Sequence, residues 1–234
     1  LSSAVLSFLK SEARPELRSL RIQRGTVYLD GAPWMQNLNF TLSDVATSDL
    51  RVQIEAQYRS LPVLLSAEIG HGASKDQRLI SWSLATPAID ATFAGQLYGP
   101  ASLDAEGRFT LAVKDGASIA PRLVPQAASL LTGLELRGRT RVTWPLIQIR
   151  EAVLTRGGDR FDGSVEFSVD ARQPAFSATL HTATLDIVPI LQPALSLLTA
   201  NSRNWGELNT LTSALQPGRI DIRLSADRLI LGAN

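Results

Sequence analysis

Leu134-Glu135-Leu136-Arg137-Gly138-Arg139-Thr140-Arg141-Val142-Thr143-Trp144 and, further on, Phe161-Asp162-Gly163-Ser164-Val165-Glu166-Phe167-Ser168-Val169-Asp170 decide the fold. In the first stretch Leu134, Leu136, Gly138, Thr140, Val142 and Trp144 share one parity, and Glu135, Arg137, Arg139, Arg141 and Thr143 take the other. In the second, Phe161, Gly163, Val165, Phe167 and Val169 alternate with Asp162, Ser164, Glu166, Ser168 and Asp170. Successive side chains of a strand point to opposite faces, so a period of two gives one apolar and one wet face. Between them lie the apolar Leu146-Ile147-Gln148-Ile149 and then Thr155-Arg156-Gly157-Gly158-Asp159-Arg160, whose paired glycines can supply the positive φ of a tight hairpin. After a Gln173-Pro174 break, Phe176, Ala178 and Leu180 are set against Ser177, Thr179 and His181. Four such strands in succession predict an antiparallel meander with a single buried face.

Working outward, the same alternation recurs upstream. Leu20, Ile22, Val27 and Leu29 form a strand running to an Asp30-Gly31-Ala32-Pro33 turn. Leu38, Phe40 and Leu42, then Val52, Ile54, Ala56 and Tyr58, alternate with polar residues, and Leu61 to Ile69 is more continuously apolar. Leu79 to Leu97 reads as two strands broken near Pro87, and Gly99-Pro100 leads into Leu103, Ala105, Gly107, Phe109, Leu111 and Val113 on one parity. Downstream, Arg219 to Leu231 returns to strand.

Other stretches carry a helical period. From Ser118 to Thr132, Leu123, Val124, Ala127, Leu130 and Leu131 recur at three and four, with prolines early and Gly133 after the end. Asp186 to Leu198 is similar but interrupted by Pro189 and Pro193; Leu208, Leu211 and Leu215 suggest a further turn or two, and Leu1 to Leu9 a short remnant. The expected fold is mainly β: about ten to thirteen strands in one or more long curved antiparallel meander sheets with one buried face, covered by two or three short amphipathic helices. Residues 1–19 read as a remnant or linker, 20–133 as a first β unit and 134–234 as a second, the two being either separate or one continuous domain. A weak internal echo aligns Leu20 to Val27 with Ile147 to Leu154, and Ile54 to Ala67 with Val169 to Ala178.

The 234 residues suffice for a substantial core. Twenty-three basic and 22 acidic residues leave a formal charge of +1, which implies no field-driven attraction to nucleic acid or anionic membrane. Cysteine is absent, which removes disulfides, thiolate nucleophiles and Cys-ligated metals. No apolar run approaches the ~20 residues of a membrane-spanning helix. With Leu1 in first place, the chain reads as a processed or excised piece whose signal or anchor lies upstream.

Catalytic and metal chemistry find little support in the sequence. His71 falls in a Gly-rich loop and His181 on the wet side of a strand, without ligand-spaced companions. Gly157 to Gly163 lacks the D-x-D-x-D-G pattern of a calcium loop and the Lys-Ser of a phosphate loop, and a hairpin turn accounts for it. Asp162 and Glu166 lie on the wet face, as solvated strand acids do, and the four tryptophans lack the basic interleaving of an oligonucleotide platform. No catalytic residue, metal ligand or cofactor is assigned.

At the C-terminal end the succession Phe176 to Leu180, Ala183 to Ile187 with Pro189-Ile190-Leu191, Trp205, Leu208, Leu215, Gly218 to Leu224 and Leu229 to Gly232 resembles the C-terminal region of AsmA-like proteins of Gram-negative envelopes. Leu20-Arg21-Ile22 with Gly25-Thr26-Val27, Phe93-Ala94-Gly95 before Pro100 to Leu103, and Gly158 to Gly163 look similar too. The likeness covers most of the chain after Leu20 and rests on apolar spacings and glycines. It implies a periplasmic β-rich body, tethered to the inner membrane by an N-terminal anchor that this stretch does not contain. It also implies a role in outer-membrane biogenesis, lipid carriage along a hydrophobic groove and no enzyme activity.

Parity places Val142, Trp144, Val165, Phe167, Val169, Phe176 and Leu180 on buried faces of neighbouring strands, and Phe109, Leu111 and Val113 on another. Two amphipathic helices cannot cover so many one-sided strands, and an open sheet would expose more apolar surface than monomers usually carry. A sheet that curls into a sealed sandwich, pairing through its edge strands, is one answer; a groove that holds phospholipid or another acyl lipid is the other, and the resemblance favours it. The expected partners are that lipid and the remainder of the parent chain.

Overall fold

The computed structural model describes residues 19–29, 31–43, 49–58, 60–74, 77–98, 104–119, 131–169, 175–186, 188 and 219–231. Twelve strands account for nearly all of them: β1 (Ser19–Leu29), β2 (Ala32–Ser43), β3 (Leu50–Tyr58), β4 (Leu61–His71), β5 (Gln77–Ala85), β6 (Ile89–Tyr98), β7 (Asp104–Val113), β8 (Leu134–Thr143), β9 (Leu146–Arg156), β10 (Asp159–Ser168), β11 (Ala175–Asp186) and β12 (Arg219–Ile230). They form one open curved sheet in which spatial order equals chain order. Every neighbouring pair is antiparallel except β11 and β12, which run parallel.

Tight turns set the registers. Leu29 pairs with Ala32, Tyr58 with Leu61 and Arg156 with Asp159, and the turn residues Gly31, Ser60 and Gly157 adopt φ of 78°, 69° and 59°. Trp144 and the cis-linked Pro145 turn β8 into β9. The break at Pro87 is held by Thr86, whose hydroxyl accepts from the amides of Ala88 at 3.1 Å and Ile89 at 2.8 Å. After β7, Asp115 caps the four-residue helix Gly116–Ile119 by accepting from the Ala117 amide at 3.0 Å. The Ser118 hydroxyl and amide, bonded to the same carboxylate, lower its pKa.

The expected boundary between two β units falls between β7 and β8, and these strands pair over their whole length within the one sheet. Helices expected at 1–9, at 120–130 of the Ser118 to Thr132 segment, and across 189–198 and 208–215 lie outside the described residues. Asp186, where the second helix was expected to begin, is the last residue of β11, and His71, expected in a loop, ends β4.

Three positive-φ residues within strands, Arg24, Asn37 and Glu151, all at 51°, sit at breaks in the ladder. An extra residue at such a bulge switches which parity faces inward. Thus Ile147 and Ile149 share a face with Ala152 and Leu154.

Candidate functional site

With the bulges in place, apolar residues line up across the sheet. One cross-strand row runs Ile22, Phe40, Ile54, Leu65, Leu84, Ala91, Leu111, Leu136, Leu154 and Phe161, ten strands without a polar member. Beside it runs Leu20, Leu42, Val52, Ala67, Trp82, Phe93, Phe109 and Gly138, continuing past the β8–β9 break as Ala152, Gly163, Leu180 and Leu224. The opposite face is wet. Its matching row is Arg21, Thr41, Gln53, Ser66, Ser83, Thr92, Thr110 and Arg137, then Val153, Asp162, His181 and Ser225.

Neighbouring backbones come close together along a seam of small residues on the apolar side. A Cβ on Gly107 would lie 2.4 Å from the Ala94 carbonyl oxygen and 2.6 Å from the Gly95 Cα, and one on Gly163 would meet the Thr179 carbonyl oxygen more closely still. Since these Cβ positions point to the apolar face, the neighbouring backbone must overhang that face there. Ala152, continuing the seam between Gly138 and Gly163, is 0% exposed. At the seam Trp82 stacks on Phe93 and tilts over Phe109, both with ring centroids 6.2 Å away.

The expected lining residues divide by position. Val165 and Leu180 are buried in the cluster formed with Leu136, Ile149, Ala152 and Ala178, and half-buried Phe109, Leu111 and Phe176 pack against it. Val113 is buried near the other end of β7. Half-buried Val142 continues in register through Ile147 and Phe167 to Phe176. Phe167, expected to be buried, is an exposed member of this outer row. Val169 lies just past β10, half-buried, its amide donating to the Pro145 carbonyl at 2.9 Å. Trp144 is the clear correction: Pro145 ends the strand, so Trp144 occupies the β8–β9 turn and is 58% exposed. Trp82 and Phe93, central to the seam, were not among the lining residues expected from the sequence. Their parities differ, even on β5 and odd on β6, and only the Pro87 break hints at the switch.

Within this apolar face Thr140 is an anomaly. It is 3% exposed, lies between Gly107 and Ile149 in register, and its hydroxyl has no hydrogen-bond partner among the described residues.

No family model, curated protein or solved structure matches the chain.

The wet face holds the remaining chemistry. His181 Nδ1 lies 3.2 Å from Ser225 Oγ, and its Nε2 lies 3.6 Å from Asp227. This orders Ser, His and Asp in a line, but the His181 and Asp227 side chains are at least half exposed to solvent, and the serine hydroxyl is also within 3.4 Å of the Leu180 carbonyl. A hydrogen bond from Arg160 holds the exposed Asp162 carboxyl below the usual carboxylate range. A hollow of about 930 Å³ lies among Arg108, Arg137, Arg139, Glu106 and Glu151, with Arg139 paired to Glu106 at 2.7 Å. Such solvated, mutually compensated charges are worth little individually. Among the described residues no His, Asp and Glu cluster has metal-binding geometry.

Proposed function

We propose that the chain is a non-catalytic periplasmic element of outer-membrane biogenesis, which holds or conducts phospholipid, or another acyl lipid, along the apolar face of its sheet. The observation that carries this reading is the unbroken apolar row from β1 to β10, beside a second that reaches the edge strand β12. A core built only for stability needs a packed cluster. It does not need apolar register maintained through three parity-switching bulges. Eleven inter-strand steps of ~4.8 Å make the face about 50 Å long, more than twice an extended sixteen-carbon chain.

Such a surface suits acyl chains, which need burial and no directional contacts. Each buried CH2 contributes about 0.8 kcal/mol, so eight methylenes would gain about 6 kcal/mol before ordering costs. All twelve described strands belong to one sheet, so a sandwich would have to recruit its second layer elsewhere. The periplasmic setting and the inner-membrane tether rest on the resemblance to AsmA-like proteins.

The test is mass spectrometry of lipid extracted from the purified protein, compared with the double variant Val165→Asp, Phe167→Asp. Acyl lipid in the parent, depleted in a variant with unchanged circular dichroism, is the expected result. Absence of acyl lipid from both, including after incubation with phospholipid vesicles, would refute the reading.

A further inference from the structure

We propose that two copies of the chain join through β12, antiparallel and with Ile222 on the two-fold axis, so that two sheets become one.

β12 ends the sheet and, among the described residues, pairs only with β11. Among the described residues nothing pairs with its outer side, so the backbone donors and acceptors there form the kind of row that proteins normally protect. The opposite edge is protected: β1 carries three register breaks, and bulges twist an edge away from incoming strands. β12 has no register break against β11, and its twelve residues include neither proline nor glycine. Its apolar side chains are also uncovered by the described residues. Ile222 is 54% and Leu224 46% exposed, whereas their β11 partners Ala178 and Leu180 are buried.

The charge pattern selects a second copy as the occupant. For both apolar faces to lie on the same side, paired residues must share parity, which leaves few central registers. With Ile222 opposite itself, Asp221 of each copy faces Arg223 of the other, and Leu224 comes opposite Ile220. Centring on Arg223 puts like charges together on the axis. Centring on Leu224 opposes Asp221 to Asp227, and centring on Ser225 places Ile222 against Arg228. Opposite charges and apolar pairs directly across strands stabilise a sheet, and like charges oppose pairing, so only the Ile222 register satisfies both faces. The present Arg223–Asp221 contact of 3.1 Å is an exposed pair within one strand, free to exchange for the cross-strand one.

Joined in this way, the row Ala178–Ile222 continues into Ile222–Ala178 of the second copy, and the apolar face becomes about 110 Å long. The pairing depends only on the edge, so it stands or falls separately from lipid binding.

The test uses the absence of cysteine. Ile222→Cys puts a unique thiol on the axis, whereas Leu229→Cys puts one on the same strand seven residues from the axis, about 46 Å from its copy. Mild oxidation should give a disulfide-linked dimer for Ile222→Cys and not for Leu229→Cys, and light scattering of the parent should give twice the chain mass. Arg223→Asp should weaken dimerisation by about tenfold or more, and Asp221→Arg with Arg223→Asp should restore it. A parent that stays monomeric, cross-linking at 229 as fast as at 222, or failure of the charge exchange to restore dimers in a folded double variant would overturn the proposal. Lipid recovered from a strictly monomeric protein would leave the groove standing and remove the dimer.

Discussion

Gly107→Ala measures whether the sheet is drawn tight along its seam. The new methyl would lie 2.4 Å from the Ala94 carbonyl oxygen, 2.6 Å from the Gly95 Cα and 2.8 Å from the Ala94 carbonyl carbon. All three are backbone atoms, so no rotamer change relieves the overlap. Carbon contacts are comfortable near 3.5–4.0 Å, so β6 and β7 must part locally by about 1 Å. Overpacking of this kind costs about 1–3 kcal/mol. Stretching a neighbouring backbone hydrogen bond adds about 1 kcal/mol, giving about 2–4 kcal/mol in all. The control is Gly158→Ala, in the β9–β10 turn, where an added Cβ meets nothing within 4 Å and φ is not positive. It should be neutral or stabilise by up to about 1 kcal/mol through the unfolded chain. Urea unfolding followed by tryptophan fluorescence suits both, because Trp82 stacks beside the seam. Midpoints that differ by less than about 0.5 kcal/mol equivalent, at equal m-value, would refute the close approach of β6 and β7.

Two further substitutions probe what the apolar face tolerates. Thr140→Val keeps the shape and removes a buried hydroxyl that has no partner among the described residues, so it should stabilise by about 1 kcal/mol in the same urea assay; a loss of stability would mean the hydroxyl is bonded. At Glu151, held at φ 51°, Val should cost about 1–2 kcal/mol whereas Asn, which tolerates the left-handed region, should stay within about 0.5; equal thermal midpoints for the two would show that the bulge is not where the ladder places it.

The strands were legible because each rests on local alternation. Phe161 to Ser168, or Val52 to Tyr58, shows its two faces without any knowledge of what lies alongside. The candidate lining was legible where alternation runs unbroken to a buried position, as at Val165 and Leu180. It failed where a local rule ended the strand, as Pro145 does beside Trp144. It also failed where two strands of opposite parity had to be joined, as with Trp82 and Phe93. One long meander sheet lay within the sequence reading, but the particular pairing of β7 with β8 was not legible, since nothing in Leu111 or Leu136 announces that they will be partners. Nor was the parallel placing of β12, which depends on a long connection rather than on the strand's own residues.

The internal echo shows how far a sequence likeness carries structural meaning. Aligning Leu20 to Val27 with Ile147 to Leu154 sets Arg24 against Glu151, and both have φ 51° at a break in the ladder. Each therefore switches parity at the same point of its strand, and each keeps the apolar face continuous past the switch. The second echo, of β4 with β11, cannot belong to the same copied unit. Three antiparallel steps separate β1 from β4, so they point in opposite directions, whereas two separate β9 from β11, which point the same way. A duplicated unit preserves the relative directions of its strands. What recurs is thus the bulged strand, used at β1 and again eight strands later at β9. At β1 the bulge irregularises an exposed edge; at β9 it redirects an interior strand so that Ala152, the most buried residue of the seam, meets Gly138 and Gly163. The same local device serves edge protection in one place and apolar continuity in the other, and β12, which lacks it, is the edge left able to pair.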